Sequence, residues 1–168
     1  MSLVLRPLQT GDIAEVVAAF AAIGWGGKDT PQFQRYLAEH KCGTRVTRFA
    51  FVDGTFAGYL NVLWQSDYPP FAAALVPEIN DFNVLPRFRR QGIGTALMDE
   101  AERIIAGRSP VAGVGVGMTR DYGSAQRLYV QRGYVPDGNG LMTHERPIVN
   151  GESVVVDDDL VLYFIKRL

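Results

Sequence analysis

Apolar positions along the chain change period several times, and each change marks an element. Ser2 to Arg6 reads as a short first strand. Thr10-Gly11-Asp12 supplies a helix start ahead of Ile13, Val16, Val17 and Phe20, whose three- and four-residue spacing makes one helical stripe. Gly24-Trp25-Gly26-Gly27 interrupts it. A second helix is expected from Pro31 to about Lys41, with proline in its first turn, Phe33, Tyr36 and Leu37 on its buried side, and Gly43 as its stop. Arg45 to Val52 and Thr55 to Gln65 are rich in β-branched and aromatic residues. They meet at Asp53-Gly54, a dipeptide that tolerates the positive φ angles of a tight hairpin.

After a loop containing Pro69-Pro70, Glu78 to Val84 reads as a strand stopped by Pro86. The loop Arg87-Phe88-Arg89-Arg90-Gln91-Gly92 leads into a helix whose buried face is Ile93, Leu97, Ala101, Ile104 and Ile105. Asp99, Glu100, Glu102 and Arg103 fall largely outside that face. Val111 to Met118 is the next strand, and Gly123 to Arg132 a helix closed by Gly133. Tyr134 to Pro136 opens a further strand, Asn150-Gly151 is a second hairpin signal, and Leu160 to Ile165 is a terminal strand. The order is strand, two helices, hairpin, two strand-helix units and a closing hairpin. It implies an α/β (α+β mixed) architecture with parallel and antiparallel pairing.

Composition narrows the function without naming it. A chain of 168 residues, 47% hydrophobic and 21% charged, fits one domain spanning 1–168 with its own core. Seventeen basic against 18 acidic groups argue against a dedicated nucleic-acid binder, which carries a basic excess to neutralise phosphates. Cys42 is alone, so no disulfide scaffold exists. No apolar run approaches the ~18 residues of a membrane span, and the amino terminus lacks the pattern of a signal peptide. These features point to the cytoplasm, where a lone thiol stays reduced.

The segment richest in chemistry is Glu78-Ile79-Asn80-Asp81-Phe82-Asn83-Val84, followed by the basic loop and Ile93-Gly94. Free N–H groups at a helix amino terminus carry partial positive charge, and glycines let a ligand approach the backbone. Arg87, Arg89 and Arg90 add full charges. The loop is either a solvated basic turn or an anion site suited to a pyrophosphate. Without G-x-x-x-x-G-K-[ST] or a post-strand G-x-G-x-x-G, readings as a nucleoside triphosphatase or a dinucleotide enzyme lose their main support.

Arg89-Arg90-Gln91-Gly92-Ile93-Gly94 fills every defined position of the [QR]-x-x-G-x-[GA] signature, and Ala125 to Tyr134 is similar to an A-x-x-L-Y-x-x-x-G-[FY] segment. In both the chain resembles the GNAT superfamily of acetyl-CoA-dependent N-acetyltransferases. The resemblance implies the GNAT acyl-CoA N-acyltransferase fold, a twisted mixed sheet with helices on both faces and a cofactor cleft between two parallel strands. It further implies that backbone groups of Gln91, Gly92, Ile93, Gly94 and Thr95 cradle the pyrophosphate of CoA with Arg89 and Arg90. Phe82, Asn83 and Val84 would line the pantetheine arm. Tyr122 stands where many members have Asn, a departure from the usual polar contact. Gly113, Gly115 and Gly117 share one strand face by alternation, so something packs closely there, either a helix or the cofactor.

Acetyl transfer needs a neutral amine, and a lysine-like amine with pKa about 10.4 is unprotonated in roughly one molecule in a few thousand at pH 7. Some group must take that proton, and the departing thiolate benefits from receiving one. Tyr129 occupies the family's usual general-acid position. On its residues alone it reads rather as a tyrosine packed on the buried side of its helix, its hydroxyl at a surface. Glu78, six residues before Val84, resembles the catalytic Glu of histone-type members. It is the first candidate base, sharing a face with Asn80, Phe82 and Val84 by alternation, with Asp81 or ordered water as alternatives. A solvated strand-edge Glu is the plainer reading. The expected reaction is direct acetyl transfer to a primary amine of a small molecule, peptide or protein, with no covalent enzyme intermediate. A non-catalytic CoA sensor or interaction domain on the same fold is the rival, and a homodimer fits either.

His40, His144 and Cys42 do not make a zinc-ligand spacing, and Asp157-Asp158-Asp159 lacks EF-hand alternation, so no metal is expected and the aspartates read as a solvated hairpin turn. Cys42 reads as a small packed residue. Acceptor contacts are expected from Gly24 to Gly27, Tyr59 to Trp64, Tyr68 and Phe71, and the loop around His144. Trp25, Trp64 and Tyr68 could clamp a flat or cationic molecule, or could be core.

Overall fold

Local chemistry closes the elements as the sequence implies. In α2 (Thr30–Cys42), Asp29 accepts the Gln32 N–H at 3.0 Å, Pro31 sits in the first turn, and Gly43 ends the helix at φ 82°. The computed structural model describes residues 2–143 and 146–168. Before α2 come β1 (Leu3–Arg6) and α1 (Ile13–Ala21). After it, β2 (Arg45–Val52) and β3 (Thr55–Leu63) form an antiparallel hairpin around Asp53 and Gly54, both at positive φ. The chain continues through α3 (Pro69–Ala74), β4 (Glu78–Val84), α4 (Ile93–Ala106), β5 (Val111–Gly117), α5 (Gly123–Gln131), β6 (Val135–Thr143), β7 (Arg146–Pro147) and β8 (Val161–Arg167).

The strands form one mixed sheet in the order β1-β2-β3-β4-β5-β8-β6-β7. β4 and β5 pair in parallel at Glu78↔Gly113 and Ile79↔Val114, while β1 with β2, β5 with β8, and β6 with β7 and β8 are antiparallel. By contacts the chain divides into two compact units. One runs to Leu63 and resumes over Asn80–Ile104, and the other takes Trp64–Ile79 and Ile105–Leu168. In the first, α1 and α2 lay Val16, Phe20 and Phe33 on Phe49, Phe56 and Tyr59, and the register pair Phe49 and Tyr59 stacks at 4.7 Å. Fully burying each such side chain contributes about 1.5–3 kcal/mol. In the second, Tyr68 stacks on Tyr163 at 3.6 Å, with Phe71 and Met142 beside them.

Two expectations about the elements fail. The segment taken as a loop with Pro69-Pro70 is helix α3, because proline is tolerated where the first turn's N–H groups have no partner, and Leu75 then ends it at φ 54°. Asn150-Gly151 makes a turn, with the Glu152 N–H donating to Val149, but it joins no paired strands: β8 pairs instead with β6. Turn chemistry marks a reversal and does not choose the strand that pairs next.

Candidate active site

The basic loop sits in the first unit. Past β4, Leu85 is buried and donates its N–H to Ala57 at 2.9 Å, and Pro86–Phe88 form one 3₁₀ turn. Arg89 Nε donates to the Val84 carbonyl at 3.0 Å, and Gln91 Nε2 to that of Arg87 at 2.9 Å. Arg90 (φ 62°) and Gly92 (φ 80°) are both left-handed, a backbone alternation that builds anion-binding concavities. Because α4 starts at Ile93, the residue before it, Gly92, has no side chain with which to cap the helix. Among the described residues no side-chain acceptor bonds the N–H groups of residues 91–95, and Arg87, Arg89 and Arg90 are exposed beside them. This donor set fits a diphosphate. Gly94 answers a second demand: a Cβ there would stand 3.3 Å from Phe82 Cζ and 3.8 Å from Val84 Cγ2, so glycine lets α4 start against β4. Gly58 on β3 is as constrained, since a Cβ would overlap the Asn83 carbonyl oxygen. Phe82, Asn83 and Val84 are thereby brought together with the loop.

Within β4, Asp81 has φ 49°, so regular alternation does not run through the strand. The expectation that Glu78 shares a face with Asn80, Phe82 and Val84 by alternation is corrected accordingly. Asp81 is crowded with donors. Lys28 Nζ and Asn83 Nδ2 (2.9 Å) reach Oδ1, while Tyr59 OH, Tyr36 OH (2.8 Å) and Gln32 Nε2 (3.2 Å) reach Oδ2. Burial pushes its carboxyl up, but the Lys28 charge and the hydrogen bonds outweigh burial and hold it below the usual range. Burial and the Asp81 charge in turn push the Tyr36 phenol up to about 12. A carboxylate saturated this way is a poor proton acceptor.

Glu78 and Tyr129 lie in the second unit. Glu78 is 6% exposed, so it is not a solvated edge residue, and the Ser66 hydroxyl donates to its Oε2. Gly113, its register partner, has no Cβ because the Phe71 ring would overlap one. Tyr129 is 3% exposed on α5, with Tyr134 at 5.9 Å. Burial, with a smaller effect of Tyr122, raises its phenol, so it holds its proton at neutral pH.

The glycine face of β5 is covered by the chain's own aromatic rings. Phe71 lies on Gly113, Tyr163 on Gly115 and Tyr122 on Gly117. Tyr122, in the Asn position, therefore packs, and its hydroxyl donates to Asp158 Oδ1 at 2.8 Å. Asp157–Asp159 are an exposed turn leading toward β8. Tyr68 and Phe71 are buried core, and Arg108 lies 4.0 Å over the Trp64 ring, while Trp25 stays partly exposed on Phe20. Cys42 is exposed, contrary to its reading as a packed residue. His40 Nδ1 accepts the Thr47 N–H at 3.2 Å. His144 lies outside the described residues. Among the described residues no group of three or more His, Cys, Asp and Glu side chains could hold a metal, and no helix is long and apolar enough to cross a membrane.

Sequence reasoning missed Gly58, Lys28 and Ser66. An isolated glycine inside a strand pattern is a signal of close backbone approach and could have revealed Gly58. Lys28 and Ser66 carry no local signal, since their partners lie 53 and 12 residues away.

Comparison with known proteins shows the fold and the family. An acetyltransferase from Streptococcus pneumoniae of the GNAT family shares 18% identity, with TM-score 0.68 over 99% of this chain and 100% of its own. PaiA N-acetyltransferase from Thermoplasma acidophilum, solved in complex with coenzyme A, shares 15%, with TM-score 0.67 over the whole of both chains. The Salmonella typhimurium acetyltransferase that modifies the N-terminal serine of ribosomal protein L7/L12 shares 14%, with TM-score 0.70 over 100% of this chain and 96% of that one. At these identities the likeness shows the fold. Curated protein sequences give no match. The Acetyltransferase (GNAT) family model matches residues 12–134, taking in both the basic loop and Tyr129, and the chain is therefore a member of the GNAT family, an acyl-transferring enzyme.

Proposed function

We propose that the chain transfers acetyl from acetyl-CoA directly to a primary amine. The observation that carries this reading is the loop at the start of α4, where left-handed Arg90 and Gly92, and the N–H groups of residues 91–95 that no described side chain bonds, stand among three exposed arginines. Backbone groups of Gln91, Gly92, Ile93, Gly94 and Thr95, with Arg89 and Arg90, hold the diphosphate of CoA. Phe82, Asn83 and Val84 line the pantetheine arm. Acetyl-CoA supplies a thioester open to attack by a neutral amine. Glu78, directly or through an ordered water, takes the ammonium proton, and Tyr129, kept protonated by burial, gives one to the departing sulfur. Asp81 is set aside as base because Lys28 and four further donors occupy it.

The acceptor is a small molecule or a peptide or protein amino terminus or lysine; the Salmonella neighbour, which acetylates a protein's terminal serine, makes the second class worth equal weight in a screen. The test is a thiol-release assay with acetyl-CoA across a panel of alkylamines, polyamines, amino acids and peptides, run on wild type and Tyr129→Phe. At least one amine should support turnover, and the variant should lose at least about tenfold in rate with acetyl-CoA binding retained. Undiminished turnover in Tyr129→Phe removes it as the acid, and no turnover with any amine removes the amine acceptor.

A further inference from the structure

Glu78 is held by a residue that the family signatures do not include. Its carboxylate is nearly closed off from solvent, and the Ser66 hydroxyl, itself 3% exposed, donates to Oε2. The Ser66 oxygen also accepts the Tyr68 N–H at 3.0 Å, and toward a charged Glu78, which can only accept, its hydroxyl donates. Tyr68 is fixed in turn: it stacks on Tyr163 at 3.6 Å with 2° between the rings, and its hydroxyl donates to Asp137 Oδ2 at 2.7 Å. Pro69 and Pro70 then start α3, whose Phe71 covers Gly113, the register partner of Glu78. Register partners point to the same side of a sheet, so Glu78 projects on the face that Phe71 covers. Ser66 is thus rigidly placed, with one donor available and a carboxylate receiving it.

We propose that Ser66 is a positioning residue for the catalytic base: it fixes Oε2 of Glu78 and favours the charged carboxylate that accepts the amine's proton. The inference rests on the reading of Glu78 as base. A buried carboxylate drifts toward its neutral, protonated form, which cannot act as base. A hydrogen bond donated to the charged form opposes that drift. Among the described residues, the Tyr68 phenol belongs to the residue that bonds Ser66, the Tyr163 phenol stacks on it, and the Asp137 carboxylate lies beyond it. Asp67, next to Ser66 in sequence, is exposed, and Asp81 on the same strand is paired with Lys28. Burial and the bond to Asp137 raise the Tyr68 phenol, so it stays protonated at neutral pH.

The experiment follows the side-chain carboxyl resonances of protein labelled with ¹³C at Glu Cδ through a pH titration, with the Glu78 signal assigned by its loss in Glu78→Gln. Ser66→Ala should raise the Glu78 midpoint by roughly half a pH unit or more, and Ser66→Thr, which keeps the hydroxyl, should restore it. The acid limb of the thiol-release pH profile should move the same way. A loss of packing alone would lower the melting temperature without displacing either. An unmoved midpoint in folded Ser66→Ala, with Glu78→Gln strongly impaired in thiol release, overturns the role of Ser66 and leaves the base standing. Wild-type release by Glu78→Gln overturns the base itself, and the positioning role with it.

Discussion

Two carboxylates three residues apart on β4 are held by different groups. Asp81 faces an ammonium, two phenols and two amides, and its proton affinity is driven down until it is a structural anion. Glu78 is as secluded, and the hydroxyl of Ser66 holds it. The first arrangement ties loop, helix and strand together. The second holds the carboxylate that the proposed mechanism uses as base. On the proposed mechanism, environment separates a structural anion from a base.

The largest way to break this comparison is at Asp81. Asp81→Ala leaves the partly buried Lys28 ammonium and the Tyr36 and Tyr59 hydroxyls without their acceptor and should cost about 2–4 kcal/mol of unfolding free energy, read from a denaturant midpoint. The pH dependence sharpens the same point. Because the folded value of Asp81 lies below the unfolded one, its contribution is fully present above about pH 4 and is lost as pH falls through the depressed folded value. Asp81→Asn should therefore lose less stability than wild type across that acid range, in parallel denaturant titrations. A wild-type acid profile in Asp81→Asn would mean that Asp81 is not the anion described.

Gly58→Ala comes next in size. Its Cβ must displace backbone at Asn83, two residues beyond Asp81, and should cost about 1–3 kcal/mol in thermal or denaturant unfolding. An unchanged melting temperature would show that β3 and β4 are not held as tightly as drawn. The smallest effect belongs to the loop arginines. Arg89→Ala with Arg90→Ala should weaken acetyl-CoA binding by roughly three- to thirtyfold, since both charges are exposed and screened. The loss should shrink in high salt, measured by calorimetry.

Much of the loop was legible because its chemistry is backbone chemistry. Gly92 before a helical stripe, and arginines at fixed offsets, are local facts that spacing carries, and the two strand-helix units around β4 and β5 followed from period alone. The carboxylates were less legible. Alternation assigned Glu78 and Asp81 to faces, but positive φ at a non-glycine residue inside β4 has no sequence mark, and that one angle breaks the alternation. Ser66, Lys28 and Tyr59 acquire their roles only once distant segments meet. The aromatic cover over the β5 glycines was half readable: the small face showed, and the rings of Phe71, Tyr122 and Tyr163 did not. Pro69-Pro70 misled because proline both breaks and begins helices.

Acetyl-CoA binding through the loop at residues 89–95 is the claim on which the proposed chemistry depends, and isothermal titration of the wild-type chain with acetyl-CoA tests it most directly. Saturable one-to-one heat with a dissociation constant below millimolar is the predicted result. A folded protein that gives no heat at millimolar acetyl-CoA would contradict it.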